Sequence, residues 1–492
     1  MRERPRPEHG VRAPRRAPEP PSRRPLRVRV AYGASDLGAS LTFVAVNTWL
    51  LYVLVNVAGV PPLWAGAVFL VGRLVDAVTD PVMGILADRW RDRIGRLPFL
   101  RWGAFPLAVA FAAVWWSPDL GPVAAVVYAT ASFVAFGLAY TVVQVPTMAL
   151  TPELAQDYDG RTALTSWRIG FGVVASLLAV AAPPLIVLAV AGGGDLAAAG
   201  PEGWRAMGVA FGLVALAAYL TTASVVPEPA RRPRPVPAGG GSWTSAFRSP
   251  GFAAVWGVFL VVTIGLMIVN SMLPFFLESA LGLPGEAQTV VLGLLFGTAV
   301  LAFPAWGRAS EAWGKRAALT VGLVLLAGSV LALVGFAPAG AVGPTLLGLT
   351  VLAGIGLAAV MMLPWAMLPD VVEFDALAVG RRREGLLYAL FTFGQKAAGS
   401  IGVFANALVA STFGYVQGSA VQSEATIVGL RAMTGPVAAG VFVVAALLVW
   451  TYPITRAKHE AARAELAARD AGGGPARGAE SAGAAAATRA PR

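Results

Sequence analysis

The chain has no cysteine, and its only two histidines, His9 and His459, lie near its ends. Disulfides, Cys/His metal sites and histidine-activated nucleophiles are therefore excluded from the body of the protein. No G-x-x-x-x-G-K-[ST] segment occurs, since the Gly314-Lys315-Arg316 run lacks both the glycine spacing and the hydroxyl. ATP is thus not expected as a direct energy source, and no cofactor is implied. Charge is also scarce: 13% of the 492 residues are charged, against 57% hydrophobic. A soluble protein of this size would carry far more charge, so the composition predicts an integral membrane protein.

What is present is a dozen apolar stretches, each long enough to cross about 30 Å of hydrocarbon at about 1.5 Å per residue. They predict an all-α protein spanning the membrane at 30–57, 62–87, 98–117, 121–148, 166–193, 204–226, 251–281, 287–308, 316–337, 343–369, 384–413 and 430–454. Strands of an outer-membrane barrel would be shorter and alternating. The net charge of +11 is spread in a way that speaks for orientation and against a nucleic-acid partner. Arginine and lysine crowd alternate connections, as at Arg89, Arg91, Arg93 and Arg96, while the opposite connections carry Asp119, Asp195, Glu202 and Glu424. The positive-inside rule then places both termini in the cytoplasm of a cell bounded by its plasma (inner) membrane. Residues 1–29 read as a disordered basic tail without the apolar core of a signal peptide, in reach of anionic lipid.

The stretch PEPARRPRPVPAGGGS divides the chain. It predicts six-helix halves at 30–226 and 251–454, a cytoplasmic linker at 227–250 and a cytoplasmic low-complexity tail at 455–492. The halves repeat a motif after their second spans, Gly84-Ile-Leu-Ala-Asp88-Arg89 with Gly95-Arg96, then Gly307-Arg308-Ala-Ser-Glu311 with Gly314-Lys315-Arg316. Asp88, Arg89, Arg96, Glu311 and Arg316 are thereby candidates for charge clamps at the cytoplasmic mouth. Two such loops at matching places predict the major facilitator architecture, twelve helices in two halves that rock about a midplane site.

Ionisable groups at bilayer depth cost roughly 2.5 to 3.5 kcal/mol each on insertion scales, so those present are functional candidates. Asp76 and Asp80 lie four residues apart and share one helix face with Arg73 and Thr79. Paired carboxylates suit a hard cation or a proton relay, or a structural network neutralised by Arg73. Lys396, well inside the eleventh span beside Gln395 and one turn after Thr392, needs a carboxylate at that depth. Ser40 and Asn47 share a face of the first span, while Asp36 sits near its hydrated entrance. Tyr140, Thr141 and Gln144 precede Pro146 in the fourth span, and Arg168 opens the fifth.

YGASDLGAS at Tyr32, RLVDAVTDPVMGILADR at Arg73, YTVVQVPTMALTPEL at Tyr140, PDVVEFD at Pro369 and GRRREGLLYALFTFGQK at Gly380 together resemble the glycoside-pentoside-hexuronide:cation symporter family. The resemblance implies sodium- or proton-coupled symport of a small polar solute, with no enzymatic activity and no resident cofactor. It carries Asp76, Thr79, Asp80 and Thr141 over as cation ligands. Lys396 becomes the coupling lysine near those acids, with Arg73 beside it, and Arg168 and Thr392 become sugar-site residues. Ser40 and Gln144 depart from the pattern, standing where the melibiose permease of that family has acids, and Met148 replaces its stacking tryptophan.

The expected solute pocket is lined by Ser40, Asn47, Gln144 and Arg168 from one half and Thr392, Gln395 and Lys396 from the other, with Gln144 and Arg168 open to an anionic group. A glycoside, pentose or hexuronide is the expected solute, carried by a protein that works as a monomer. The rival readings are a symporter of lysolipid-like amphiphiles, favoured by Met148, and an intramembrane aspartyl enzyme.

Overall fold

Proline in the first turn opens several of the long helices, because its fixed φ suits that position and its missing N–H costs nothing there. The computed structural model describes residues 25–155, 158–193, 196, 199–229, 243–379, 384–419 and 421–453. The first half holds α1 (Leu26–Asn56), α2 (Pro62–Ile94), α3 (Leu97–Val114), α4 (Pro122–Leu154), α5 (Tyr158–Ala191) and α6 (Gly200–Val225). A short turn at Trp243–Ala246 precedes α7 (Pro250–Phe275), which ends in a π-helical turn at Phe276–Ala280. Then follow α8 (Gly285–Trp313), α9 (Lys315–Phe336), α10 (Pro344–Val379), α11 (Glu384–Thr412) and α12 (Glu424–Val449).

Each expected span is a helix, though several run further than hydropathy indicates. α5 starts at Tyr158 and α10 continues to Val379, both through polar residues. Backbone hydrogen bonding continues past the hydrocarbon edge where composition alone sees only polar residues. Among the described residues, ten helices are long and apolar enough to cross a membrane; α2 and α11, equally long, are made less apolar by the residues that form the site below. The expected N-terminal tail, most of the linker and the C-terminal tail lie outside the described residues.

The halves repeat one packing scheme. In the first, α1 packs on α5 and α6, α3 on α4 and α6, and α2 on α4. In the second, α7 packs on α11 and α12, α9 on α10 and α12, and α8 on α10. Each contact recurs six helices later. The second helix of each half ends on a glycine in the left-handed region, Gly95 at φ 85° and Gly314 at φ 83°, which only glycine adopts cheaply. The halves meet along α1–α7, α2–α11 and α5–α8, again a symmetric set.

These inter-half contacts gather at the end away from the termini. Asn56 at the tip of α1 accepts hydrogen bonds from the Tyr415 hydroxyl at 3.1 Å and the Gly418 N–H at 3.2 Å. Tyr52 meets Phe275 edge to face at 5.3 Å, and Leu188 packs against Gly285. Deeper in, Asn270 of α7 donates to Thr48 of α1 at 3.0 Å.

Candidate functional site

Asp76 and Asp80 face the seam between the halves from α2. Arg73, one turn earlier, donates to Asp76 Oδ2 at 3.0 Å, and its other arm reaches Asn47 Oδ1 of α1 at 3.2 Å. Its guanidinium also lies over the Phe43 ring at 5.3 Å. Asp76 is only 4% exposed because α4 presses on it at Gly137, where a Cβ would sit 2.7 Å from Oδ1. One turn along α4, Thr141 donates to Asp80 Oδ1 at 2.6 Å. From the other half, the Lys396 ammonium lies 2.5 Å from Asp80 Oδ2 and 3.4 Å from Asp76 Oδ2.

The cluster thus holds two carboxylates, a guanidinium and an ammonium, neutral in sum. Burying each charge alone would cost several kcal/mol, and pairing offsets that cost. Thr79, between the two acids, has a buried Oγ1 with no hydrogen-bond partner. Asp76, Asp80, Thr141 and Thr79 therefore offer oxygens suited to a hard cation, with Lys396 as the group that a cation must displace. The structure brings all these expected residues together; the hydroxyl of Thr79 alone stays unbonded.

The expected solute residues do not gather. Arg168 is engaged by Asp36, donating from Nε at 2.7 Å and from a terminal nitrogen at 2.9 Å, with a further bond to Thr151 at 3.2 Å. It lies over the Tyr32 ring at 5.5 Å. Asp36 is thus a half-buried ion-pair partner, and Arg168 is engaged by it and not open to an anion as expected. Gln144 accepts from the Tyr219 hydroxyl at 3.2 Å, Ser40 rests against Gly172, and Thr392 bonds back to the Tyr388 carbonyl at 3.0 Å.

The cavity of about 270 Å³ lies elsewhere, between the seam and the core of the second half. Of the expected solute residues only Asn47 and Gln395 line it. Its walls are mainly aliphatic and aromatic, with Phe259 and Trp365 meeting at 5.3 Å and Phe259 stacked on Phe391 at 3.7 Å. Thr263 and Asn270 add polar groups from α7. Nothing in hydropathy distinguishes such aliphatic walls from a lipid-facing surface.

At the termini end, two acids that the repeated loops did not point to hold basic partners. Glu153 at the end of α4 accepts from Arg96 Nε at 3.0 Å and lies 3.2 Å from Arg91 Nε. Glu228 accepts from the backbone N–H groups of Arg96 at 2.6 Å and Leu97 at 3.1 Å. In the second half Lys315 donates to both oxygens of Asp370 at 2.7 Å, while Arg316 donates to the Trp450 carbonyl at 2.9 Å. Arg96 thus pairs with Glu153, and Lys315, which follows Gly314 as Arg96 follows Gly95, pairs with Asp370. Arg89 is exposed, and the side chain of Asp88 lies outside the described residues. The signal was available: Pro152-Glu153 and Pro369-Asp370 recur in the fourth helix of each half.

The geometry agrees with what the chain is similar to. It is 27% identical to an uncharacterized symporter, sll1374, of a Synechocystis strain, over 90% of this chain and 96% of that protein. It is 28% identical to a glucuronide carrier protein homolog of Escherichia coli K12, over 88% and 93% of the two chains. A crystal structure of a bacterial homolog of the human lysosomal transporter Spinster superposes with a TM-score of 0.65 at 15% identity, covering 87% of this chain and 98% of that one. The family model described as MFS/sugar transport protein matches residues 31–456, and the chain is a twelve-helix membrane protein belonging to that family.

Proposed function

We propose that the chain is a secondary symporter that couples a sodium or proton gradient to uptake of a small hydroxylated solute. One observation carries this reading: the cavity and the charged cluster touch through two residue pairs. Asn47 lines the cavity and accepts from Arg73, which holds Asp76; Gln395 lines it next to Lys396, which holds Asp80. A solute that engages Asn47 therefore changes the setting of Arg73, and one that draws on Gln395 acts on the helix turn that carries Lys396. The relative that is a glucuronide carrier homolog supports solute symport as the activity.

With both termini cytoplasmic, the Asn56, Tyr415 and Phe275 contacts close the outside, and the site faces inward. Lys396 then occupies the acids when no coupling ion is bound, which keeps the carboxylates from standing unpaired. An ion from outside releases Lys396 from Asp80, loosening the tie between α2 and α11 on which the halves turn. Both aspartates are engaged by cations, an arrangement for ion exchange more than for acid–base hydrolysis. The apolar walls suit an amphiphile, yet an engineered cavity of about 150 Å³ takes benzene, so 270 Å³ has no room for a lysolipid headgroup with its acyl chain.

Proteoliposomes holding the full chain test the reading. Solute accumulation is expected under an imposed sodium or proton gradient and not without one. Equal uptake in the presence and absence of both gradients would overturn coupled symport.

A further inference from the structure

The charges of the molecule stand apart from its cavity. Asp36 and Arg168 bind each other, and Arg73, Asp76, Asp80 and Lys396 form their own network; none of them lines the 270 Å³ cavity, although Arg73 and Asp76 line a much smaller pocket on the other side of Phe43. What the cavity presents instead is neutral. The amide of Gln395 and the hydroxyl of Thr263 line it, and neither makes a side-chain hydrogen bond to another described residue. Thr263 is 4% exposed, yet its unbonded hydroxyl is not among the inaccessible side-chain atoms, so what it exposes is available to a ligand in the cavity. Beside them Phe259 and Trp365 form an aromatic corner, and Trp365 keeps 37% of its surface open. Beyond lie Leu295, Leu326 and Val330, an aliphatic end inside the second half.

We infer that solute selection in this chain resides in the second half, and that the cavity takes an uncharged, two-part solute. One part is a hydroxylated ring that bonds Gln395 and Thr263 and lays its C–H face on Trp365. The other is an apolar ring-sized body seated among Leu295, Leu326 and Val330. A phenyl glycoside has this chemistry.

The volume fits. A benzene-sized body needs about 150 Å³, which leaves comparable space in 270 Å³ for a sugar ring. The exclusions follow from desolvation. A uronate carboxylate here would find amides and hydroxyls but no free cation, at the cost of a buried unpaired charge. A bare sugar would leave the aliphatic end unfilled and place hydroxyls against carbon. Trp365 thereby takes over, from the opposite half, the stacking surface that Met148 does not supply; Met148 is 51% exposed and not among the lining residues.

This rests on the solute-transport reading, and the test separates the two. Full-chain proteoliposomes are assayed for uptake of phenyl β-D-glucoside, β-D-galactoside and β-D-xyloside, of the three free sugars, and of phenyl β-D-glucuronide. At least one phenyl glycoside should be taken up with a half-saturation about 10-fold below that of its free sugar, and the glucuronide should not compete. Trp365→Ala and Thr263→Val should each raise that value about 10-fold, and Trp365→Phe should recover most of it. A cooperative thermal unfolding transition of each purified variant without ligand, at a midpoint close to that of the unaltered protein, checks that the variants are folded.

Preference for the glucuronide or a free sugar, no uptake of any phenyl glycoside, or indifference of the folded Trp365→Ala protein overturns the inference. Gradient-driven uptake of a free sugar alone would overturn it while leaving coupled symport intact. Selective phenyl glycoside uptake without gradient dependence would do the reverse.

Discussion

Inside the first half, α1, α2 and α5 carry Asp36, Arg73, Asp76, Asp80 and Arg168 across the bilayer interior. The matching helices of the second half bring Lys396 to that depth and otherwise line the cavity with neutral groups, among them Phe259, Thr263, Asn270, Leu295 and Gln395. Both halves use the same helix contacts, so packing scheme does not account for the difference. The repeat has kept its backbone and divided its chemistry, with the deep carboxylates on one side and most of the cavity wall on the other. Lys396 is the exception, a second-half charge spent on the first half's acids. On the proposed reading, ion and solute sit on halves that rock against each other, and Lys396 is the contact between them.

The strongest way to break this comparison is at the acids. Asp80→Asn and Asp76→Asn should each abolish gradient-driven accumulation while exchange of solute down its own gradient continues. About 2.3 kcal/mol per elementary charge per 100 mV becomes unusable once ion and solute part. Concentrative uptake at the unaltered level in either protein would place ion handling elsewhere. Next in size, Arg168→Ala or Asp36→Ala alone should cost about 1–3 kcal/mol by stranding a half-buried charge, and the double change Asp36→Asn with Arg168→Gln should cost much less. Thermal unfolding in detergent reads this; equal losses for single and double changes would mean the pair is not a closed unit.

Lys396→Ala comes third. Combined with Asp80→Asn it should show an interaction of about 1–3 kcal/mol in unfolding, whereas strictly additive losses would mean that the two do not communicate across the seam. Tyr415→Phe should cost about 1 kcal/mol of the closed outer end and raise labelling of a cysteine introduced on that side. Burial pushes the Tyr415 hydroxyl up to about 12, so the bond to Asn56 holds below the ordinary tyrosine value near 10 and weakens only as pH rises toward 12. Labelling that tracks pH between 6 and 9 in the unaltered protein would show that a different group governs closure. Smallest of all, Gln144→Ala should change solute affinity by less than about 0.5 kcal/mol, because its partner is Tyr219 and not the solute. A loss of 1 kcal/mol or more would return selection to the first half.

Much of this was written in the residue order. Twelve spans follow from composition, and the i, i+4 spacing of Asp76 and Asp80 puts both within reach of Lys396. The position of Lys396 far from a helix end already demanded an acid. Three features were not legible for physical reasons. Arg168 and Asp36 are 132 positions apart on helices whose adjacency is a tertiary fact. The cavity is walled by leucine and valine, which read the same whether they face solute or lipid. Clamp partners were sought within the repeated loops, whereas the second shared motif, proline followed by an acid at the end of α4 and in α10, held them.

The modest apolarity of α2 and α11 has a consequence for biosynthesis. α2 leaves the ribosome some three hundred residues before Lys396 exists, so Asp80 must enter the bilayer without its cation. Arg73 and Asp76, one turn apart in the same segment, already cancel each other and lower that barrier. Insertion of α2 is thus half self-sufficient, and its final seating waits for a helix made near the end of synthesis. The coupling lysine is then also a late assembly contact, and chains lacking it should linger with the second helix accessible to quality-control proteases.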